Sequence, residues 1–235
     1  MIAALVALAL VPGQFVPLDR VDPTIQQDMR YAQRHNFVGR RIHGYREPVC
    51  LLTRPAARAL HRAQVALRAV GYGLRVYDCY RPTRAVAQFD RWAQNLADQK
   101  MKGEFYPHTD KRRAFVDGYI AHRSGHSRGS TVDITLVRLP AKASPEWDGK
   151  LRSCVAPYGR RFRDGSVNMG TTYDCMDPRA HTFHPAITGR AHRNRLRLRT
   201  ALNRAGFAPY DNEWWHFTLS SEPYPEKYFN FSVTR

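Results

Sequence analysis

Apolar residues recur at helical spacing in three stretches of the chain. In the first, Ala56, Leu60, Ala63, Leu67 and Val70 lie four, three, four and three positions apart, the period of a helix with one buried face. Thr53 can cap its start, Pro55 suits a first turn, and Gly71 stops it. The second opens at Tyr80-Arg81-Pro82-Thr83 and buries Val86, Phe89, Trp92, Ala93 and Leu96. The third, very basic, spans about 189–205, with Leu198, Ala201, Leu202 and Ala205 inward and Gly206 as its stop.

Strand patterns fall between the helices. Leu74 to Cys79 is one. In another, Thr131 to Leu136, the residues Val132, Ile134 and Leu136 point one way and Asp133 and Thr135 the other. The last runs from Glu213 to Leu219. Residues 15–48 and 99–123 are polar or charged and irregular. Residues 139–185 form a long excursion with Pro, Gly and two cysteines, and a loop of that length is usually functional or stapled. The mixed order predicts an α+β fold, a small antiparallel sheet backed by helices. At 235 residues the chain suits one domain, taken as 15–235.

Residues 2–11 change the picture at the N-terminus. This apolar run is too short to span a bilayer, which takes about 20 apolar residues. Its length suits the apolar region of a signal peptide, although no Lys or Arg precedes it. A buried strand or helix is the other reading. Residues 1–14 are therefore set apart as a signal-like segment, and the expected location is periplasmic or secreted, with no transmembrane helix. The four cysteines, Cys50, Cys79, Cys154 and Cys175, include no CxxC pair, which speaks against a zinc knuckle. An even count in an exported chain favours two disulfides. Of the three connectivities, Cys50–Cys79 with Cys154–Cys175 is preferred because each closes a local loop. Four free buried thiols are the alternative. The net charge of +17 attracts polyanions without specificity. Specific nucleic-acid binding conflicts with the signal-like start, so anionic cell-envelope polymers or a merely solvated surface remain.

Candidate chemistry lies in three places. His126 sits in a Ser- and Gly-rich loop, and Asp133 on the strand beyond it. A catalytic zinc takes three ligands from His, Asp or Glu and leaves a position for water, but a His and an Asp alone more often form a plain hydrogen bond. Glu213 and His216 add a candidate base and a candidate ligand. Residues three apart on a regular strand point to opposite faces, so Glu213 must lie at an irregular strand entrance or on a bulge. Arg81, just past a strand end, can stabilise an oxyanion or clamp a carboxylate.

Together, Ser124-x-His126-x-x-Gly129-x-x-x-Asp133 and Glu213-x-x-His216 resemble the signature of the zinc D-Ala-D-Ala metallopeptidases, with Thr131 where that pattern usually has Ala. Further segments resemble the dipeptidase branch: Asp78 to Val86, Ser124 to Ser130, Met169-Gly170-Thr171, Phe207 to His216 and Glu222-Pro223-Tyr224-Pro225. The resemblance runs in order from about residue 16 to the C-terminus. It implies one zinc ion per chain at the sheet, held by His126, Asp133 and His216. It implies Glu213 as general base and then acid, and Arg81 as oxyanion stabiliser. Ser124 would help hold the substrate, Asp174 would face its ammonium, and Tyr31 would be an aromatic at the mouth of the site. The implied substrate is a D,D-dipeptide, with the 139–185 excursion as a wall excluding longer peptides. The cysteines depart from the cytoplasmic vancomycin-resistance members and suggest an exported branch that salvages or remodels wall peptides. A peptidoglycan D,D-carboxypeptidase or L,D-endopeptidase with the same metal site is the nearest alternative. A non-catalytic wall-binding module is another, although pure binding needs neither Glu213 nor Arg81.

Overall fold

The computed structural model describes residues 12–235, so residues 1–11 of the signal-like segment lie outside the described residues. Seven strands and four α-helices follow in chain order: β1 (Phe15–Pro17), β2 (Gln26–Gln27), β3 (Leu51–Thr53), α1 (Arg54–Arg68), β4 (Tyr72–Asp78), α2 (Thr83–Gln94), α3 (Lys102–Phe105), β5 (Thr131–Arg138), α4 (Gly189–Arg204), β6 (Phe207–Pro209) and β7 (His216–Leu219). The fold is α+β as expected. Its central sheet has the order β2-β4-β5-β7-β6, and β1 pairs with β3 in a separate two-stranded ribbon.

Two expectations about the sheet need correction. It is not wholly antiparallel, because β2 runs parallel to β4 at one edge. The last strand is also shorter than expected: it begins at His216, and residues 213–215 form a turned approach to it. The strands β1, β2, β3 and β6 have two or three residues each, too few for an alternating pattern to show in sequence. Helix ends differ as well. Val70 lies past the end of α1 and is 63% exposed, and Leu96 lies past α2 and is exposed. Pro55 does occupy the first turn of α1, but Thr53 makes no capping bond. Its hydroxyl pairs with that of Ser130, 2.7 Å away.

The sheet divides the molecule into two layers. Leu74, Val76, Val132, Ile134 and Leu136 share one core with α1, with Leu198 and Leu202 of α4, and with Ala205 just past its end. Strand alternation sends Tyr77 and Asp133 to the opposite face. There α2 and the N-terminal loops build a second, aromatic core around Tyr31, Phe37, Phe89 and Trp92. The excursion closes over this layer. Asp164 from it meets the buried Arg30 at 3.3 Å, and Arg30 also pairs with Asp28 at 2.9 Å.

Cys50 bonds to Cys79 and Cys154 to Cys175, the local pairing expected from sequence. The first fastens the end of β4 to the segment entering β3. The second closes a loop within the excursion. Loop-closure entropy for separations of 29 and 21 residues amounts to roughly 3–4 kcal/mol per bond. Reduction is accordingly expected to lower the urea midpoint of unfolding substantially. An unchanged midpoint would mean that neither bond forms.

Candidate metal centre and substrate cleft

Register brings the polar residues together before any loop does. Asp133 of β5 lies opposite His216 at the start of β7. On its other side, an irregularity in β4 between Val76 and Asp78 shifts the pairing so that Asp78 also lies opposite Asp133. Asp78, Asp133 and His216 thus form a row across three strands. The loop residue His126 completes the cluster from a short 3-10 turn, Gly125–Arg128, which Ser124 caps by accepting from the His126 amide. Gly129 ends that turn at φ +83°, where a Cβ would collide with the Phe15 ring. Only glycine fits both the left-handed backbone and the space.

The three candidate ligand atoms sit at mutual distances suited to one small cation. His126 Nε2 is 3.3 Å from Asp133 Oδ1 and 3.3 Å from His216 Nδ1, and the last two atoms are 3.0 Å apart. Zinc bonds to nitrogen and oxygen are about 2.0–2.1 Å long, which makes the edge of a tetrahedron roughly 3.3 Å. Two of the three ligand atoms are also freed for this role by a second partner on the same side chain. His126 donates its Nδ1 proton to the Cys79 carbonyl at 2.7 Å, which leaves Nε2 as a lone pair. Tyr173 donates to Asp133 Oδ2 at 2.9 Å, leaving Oδ1 for the site. His126 and Asp133 are buried, whereas the His216 side chain keeps 21% of its surface open to the cleft.

The electrostatics favour a cation here. Burial alone would raise the Asp133 pKa, but His126 and His216 outweigh it and hold the carboxyl well below its ordinary range. Glu213 is pushed well above its ordinary value by burial and then by Asp133 and Asp174, with Arg81 opposing. Burial, followed by Asp133, pushes Asp174 up to about 8. Carboxyls crowded beside a single arginine lack positive charge, and a dication would supply it.

Glu213 meets the condition set by its spacing. It stands in the turned approach to β7, with the His216 amide donating to its carbonyl at 3.2 Å, and its carboxylate lies 3.6 Å from His216 Nδ1. Arg81 is held rigidly. Its Nε donates to Asp78 at 2.9 Å, and its guanidinium stacks between the Tyr31 and Phe89 rings at 5.0 and 5.1 Å. One end reaches toward Asp133 at 3.6 Å, and another toward the Ser124 hydroxyl at 3.5 Å. Asp174 reaches the same cleft through a left-handed backbone, φ 56°, a conformation that Asp tolerates better than most residues.

Two expectations about the cleft need correction. Tyr31 is not at its mouth. The side chain is buried beneath Arg81, and its hydroxyl donates to Asp174 at 2.9 Å, so it supports two lining residues without lining the cleft. Nor is the excursion the main wall, because Asp174 is its one contribution to the cleft of about 480 Å³. The wall comes from the irregular segment 115–125, including Phe115, Tyr119, Ile120, His122 and Arg123, joined by Tyr210, whose hydroxyl donates to the Gly118 carbonyl at 3.5 Å. Asp78 and Tyr173 carry no role in the sequence motifs. The clue for Asp78 was its place three residues before Arg81; Tyr173 gave none.

Comparison with known proteins agrees in coverage. A sequence model of the D-ala-D-ala dipeptidase family, Peptidase M15, matches residues 12–143 and 161–234. A D-alanyl-D-alanine dipeptidase of Enterococcus faecalis is 37% identical over 220 residues, 94% of this chain and 98% of its own. One from Streptomyces coelicolor is 37% identical over 221 residues, with the same two coverages. One from Escherichia coli is 30% identical over 207 residues, 88% of this chain and 84% of its own. A solved zinc-bound vancomycin resistance D,D-pentapeptidase shares 18% identity at a TM-score of 0.38, covering 72% of this chain and 73% of that one, too distant to inform the site.

Proposed function

The chain belongs to the D-Ala-D-Ala dipeptidase family, and from that premise we propose that it hydrolyses D-alanyl-D-alanine to two molecules of D-alanine with a zinc ion held by His126, Asp133 and His216. The observation that carries this reading is the cluster of three ligand atoms 3.0–3.3 Å apart with Glu213 and Arg81 beside it. Bound zinc supplies a Lewis acid for the scissile carbonyl and lowers the pKa of water.

The chain's own residues do the rest. Glu213 takes a proton from the attacking water as its oxygen bonds to the carbonyl carbon. Arg81, fixed by Asp78 and two aromatic rings, faces the negative oxygen that develops. Glu213 then passes the proton to the amide nitrogen as the C–N bond breaks. Asp174 lies on the cleft wall where an ammonium can neutralise its crowding. Ser124, within reach of Arg81, is placed to bind the substrate.

The wall of residues 115–125 favours a dipeptide over a longer stem. Steady-state rates on D-Ala-D-Ala and on a stem pentapeptide test this. Turnover of the dipeptide with little cleavage of the pentapeptide is expected; cleavage of the pentapeptide alone would make the protein a D,D-carboxypeptidase.

An exported location is supported by the apolar residues 2–11 and the two cysteine pairs. No helix among the described residues is long and apolar enough to cross a membrane. The charge of +17 supports a diffuse, salt-sensitive attraction to anionic envelope polymers. Recovery of the native protein from the cytoplasmic fraction would overturn the location.

A further inference from the structure

The face opposite the cleft has its own chemistry. Helices α1 and α4 pack side by side. No Asp or Glu occurs between Glu47 and Asp78, or between Asp177 and Asp211, so both helices are acid-free. Between them runs a groove of about 640 Å³ whose floor is apolar: Ala63, Ala66, Leu67, Leu196 and Ala201, with the exposed Val70 at one end. Four arginines rim it, Arg62, Arg193, Arg197 and Arg204. All four are exposed, and none pairs with a carboxylate among the described residues.

A second cleft adjoins this groove. It is polar, about 790 Å³, and lined by Arg138, Lys142 and Arg190 among others, again without an acid. Arg193 and Arg197 line both. Arg138 and Arg197 are braced by donating to the Tyr72 hydroxyl at 3.1 and 3.0 Å. An apolar trough beside a cationic cleft matches an amphiphile with an anionic head. A simple polyanion would satisfy the arginines and leave the trough exposed to water. An uncharged apolar segment would fill the trough and leave the arginines unpaired.

We infer that the α1–α4 face docks on a membrane surface bearing anionic phospholipid, with headgroup phosphates on Arg193 and Arg197 and apolar contact in the groove. Val132, Ile134 and Leu136 face α1 and α4 while Asp133 faces away, so a docked molecule turns its substrate cleft toward the solution. This goes beyond a diffuse attraction of the whole surface, since it requires one face and an apolar floor. It does not rest on the hydrolytic reading.

Co-sedimentation of the full chain with phosphatidylcholine vesicles, with and without phosphatidylglycerol, tests it. Binding should need phosphatidylglycerol and weaken with salt. Arg193→Glu with Arg197→Glu should weaken it by roughly 20-fold or more, as expected for losing two basic contacts at an anionic surface. Val70→Ser should weaken vesicle binding several-fold and leave binding of inorganic polyphosphate unchanged. Hydrolysis of free D-Ala-D-Ala by these variants should match the parent, which reports folding separately from docking. The proposal fails if pure phosphatidylcholine binds equally well, as insertion of residues 2–11 would produce. It fails if reversing the arginines changes nothing. It also fails if polyphosphate binds the parent and Val70→Ser leaves vesicle binding intact, which would make the partner an acidic polymer. Should the doubly reversed variant not fold, the exposed Val70→Ser variant decides the matter alone.

Discussion

Glu213→Gln should lower kcat for D-Ala-D-Ala by about 10²–10⁴-fold, the contribution of a well-placed general base, while the protein keeps its full complement of zinc. Glutamine keeps the shape of the side chain and removes its ability to take a proton. The carboxylate lies near His216 but outside the three-atom cluster, so metal content should hold. The group is also suited to both tasks proposed for it. Burial, Asp133 and Asp174 push its pKa well up, and a bound dication pulls it back down. A base balanced in this way can accept a proton from water and return it to the departing amine. KM should change little, because the interaction is made chiefly in the transition state. Near-normal kcat in a fully zinc-loaded Gln variant would remove Glu213 from the mechanism.

Chelation should have an effect of comparable size. Stripping zinc with EDTA is expected to lower the rate by ~10³-fold or more, since Lewis-acid assistance is worth several kcal/mol. Adding zinc back should restore the rate. The restoration should fail in acid, where the ligands are protonated. Burial lowers the His216 pKa against the opposing pull of Asp133, so the ring is neutral and able to bind metal at neutral pH. Metal-free protein hydrolysing the dipeptide at its normal rate would sink the proposal for His126, Asp133 and His216 together.

Much of the site could be read along the chain because its residues fall in short local motifs. The alternation of Val132, Ile134 and Leu136 placed Asp133 on the far face of the sheet, and the structure keeps it there. The three-residue spacing of Glu213 and His216 demanded an irregular strand entrance, and the turned approach to β7 supplies one. What stayed hidden depends on long-range packing. No periodicity marks residues 115–125 as a wall, because the segment has no regular structure to impose one. The shift in β4 that aligns Asp78 with Asp133 leaves no trace in composition. The resemblance alone puts Tyr31 at the mouth of the site, and sequence holds no sign that it is buried under an arginine instead. Strand β2 pairs with β4 over only two residues, too few for an alternating pattern to mark it in sequence.

The bond between Cys50 and Cys79 has a consequence beyond stability. Cys79 supplies the carbonyl that orients His126, and Asp78 and Arg81 lie within two residues of it. The clasp therefore secures the same few residues on which the proposed chemistry depends. Reduced, that turn is held by packing and hydrogen bonds alone. On the exported reading, the chain is made where thiols stay reduced and works where they oxidise. Oxidation would then serve as a maturation step, the hydrolase gaining its clasp only after leaving the compartment in which it was made.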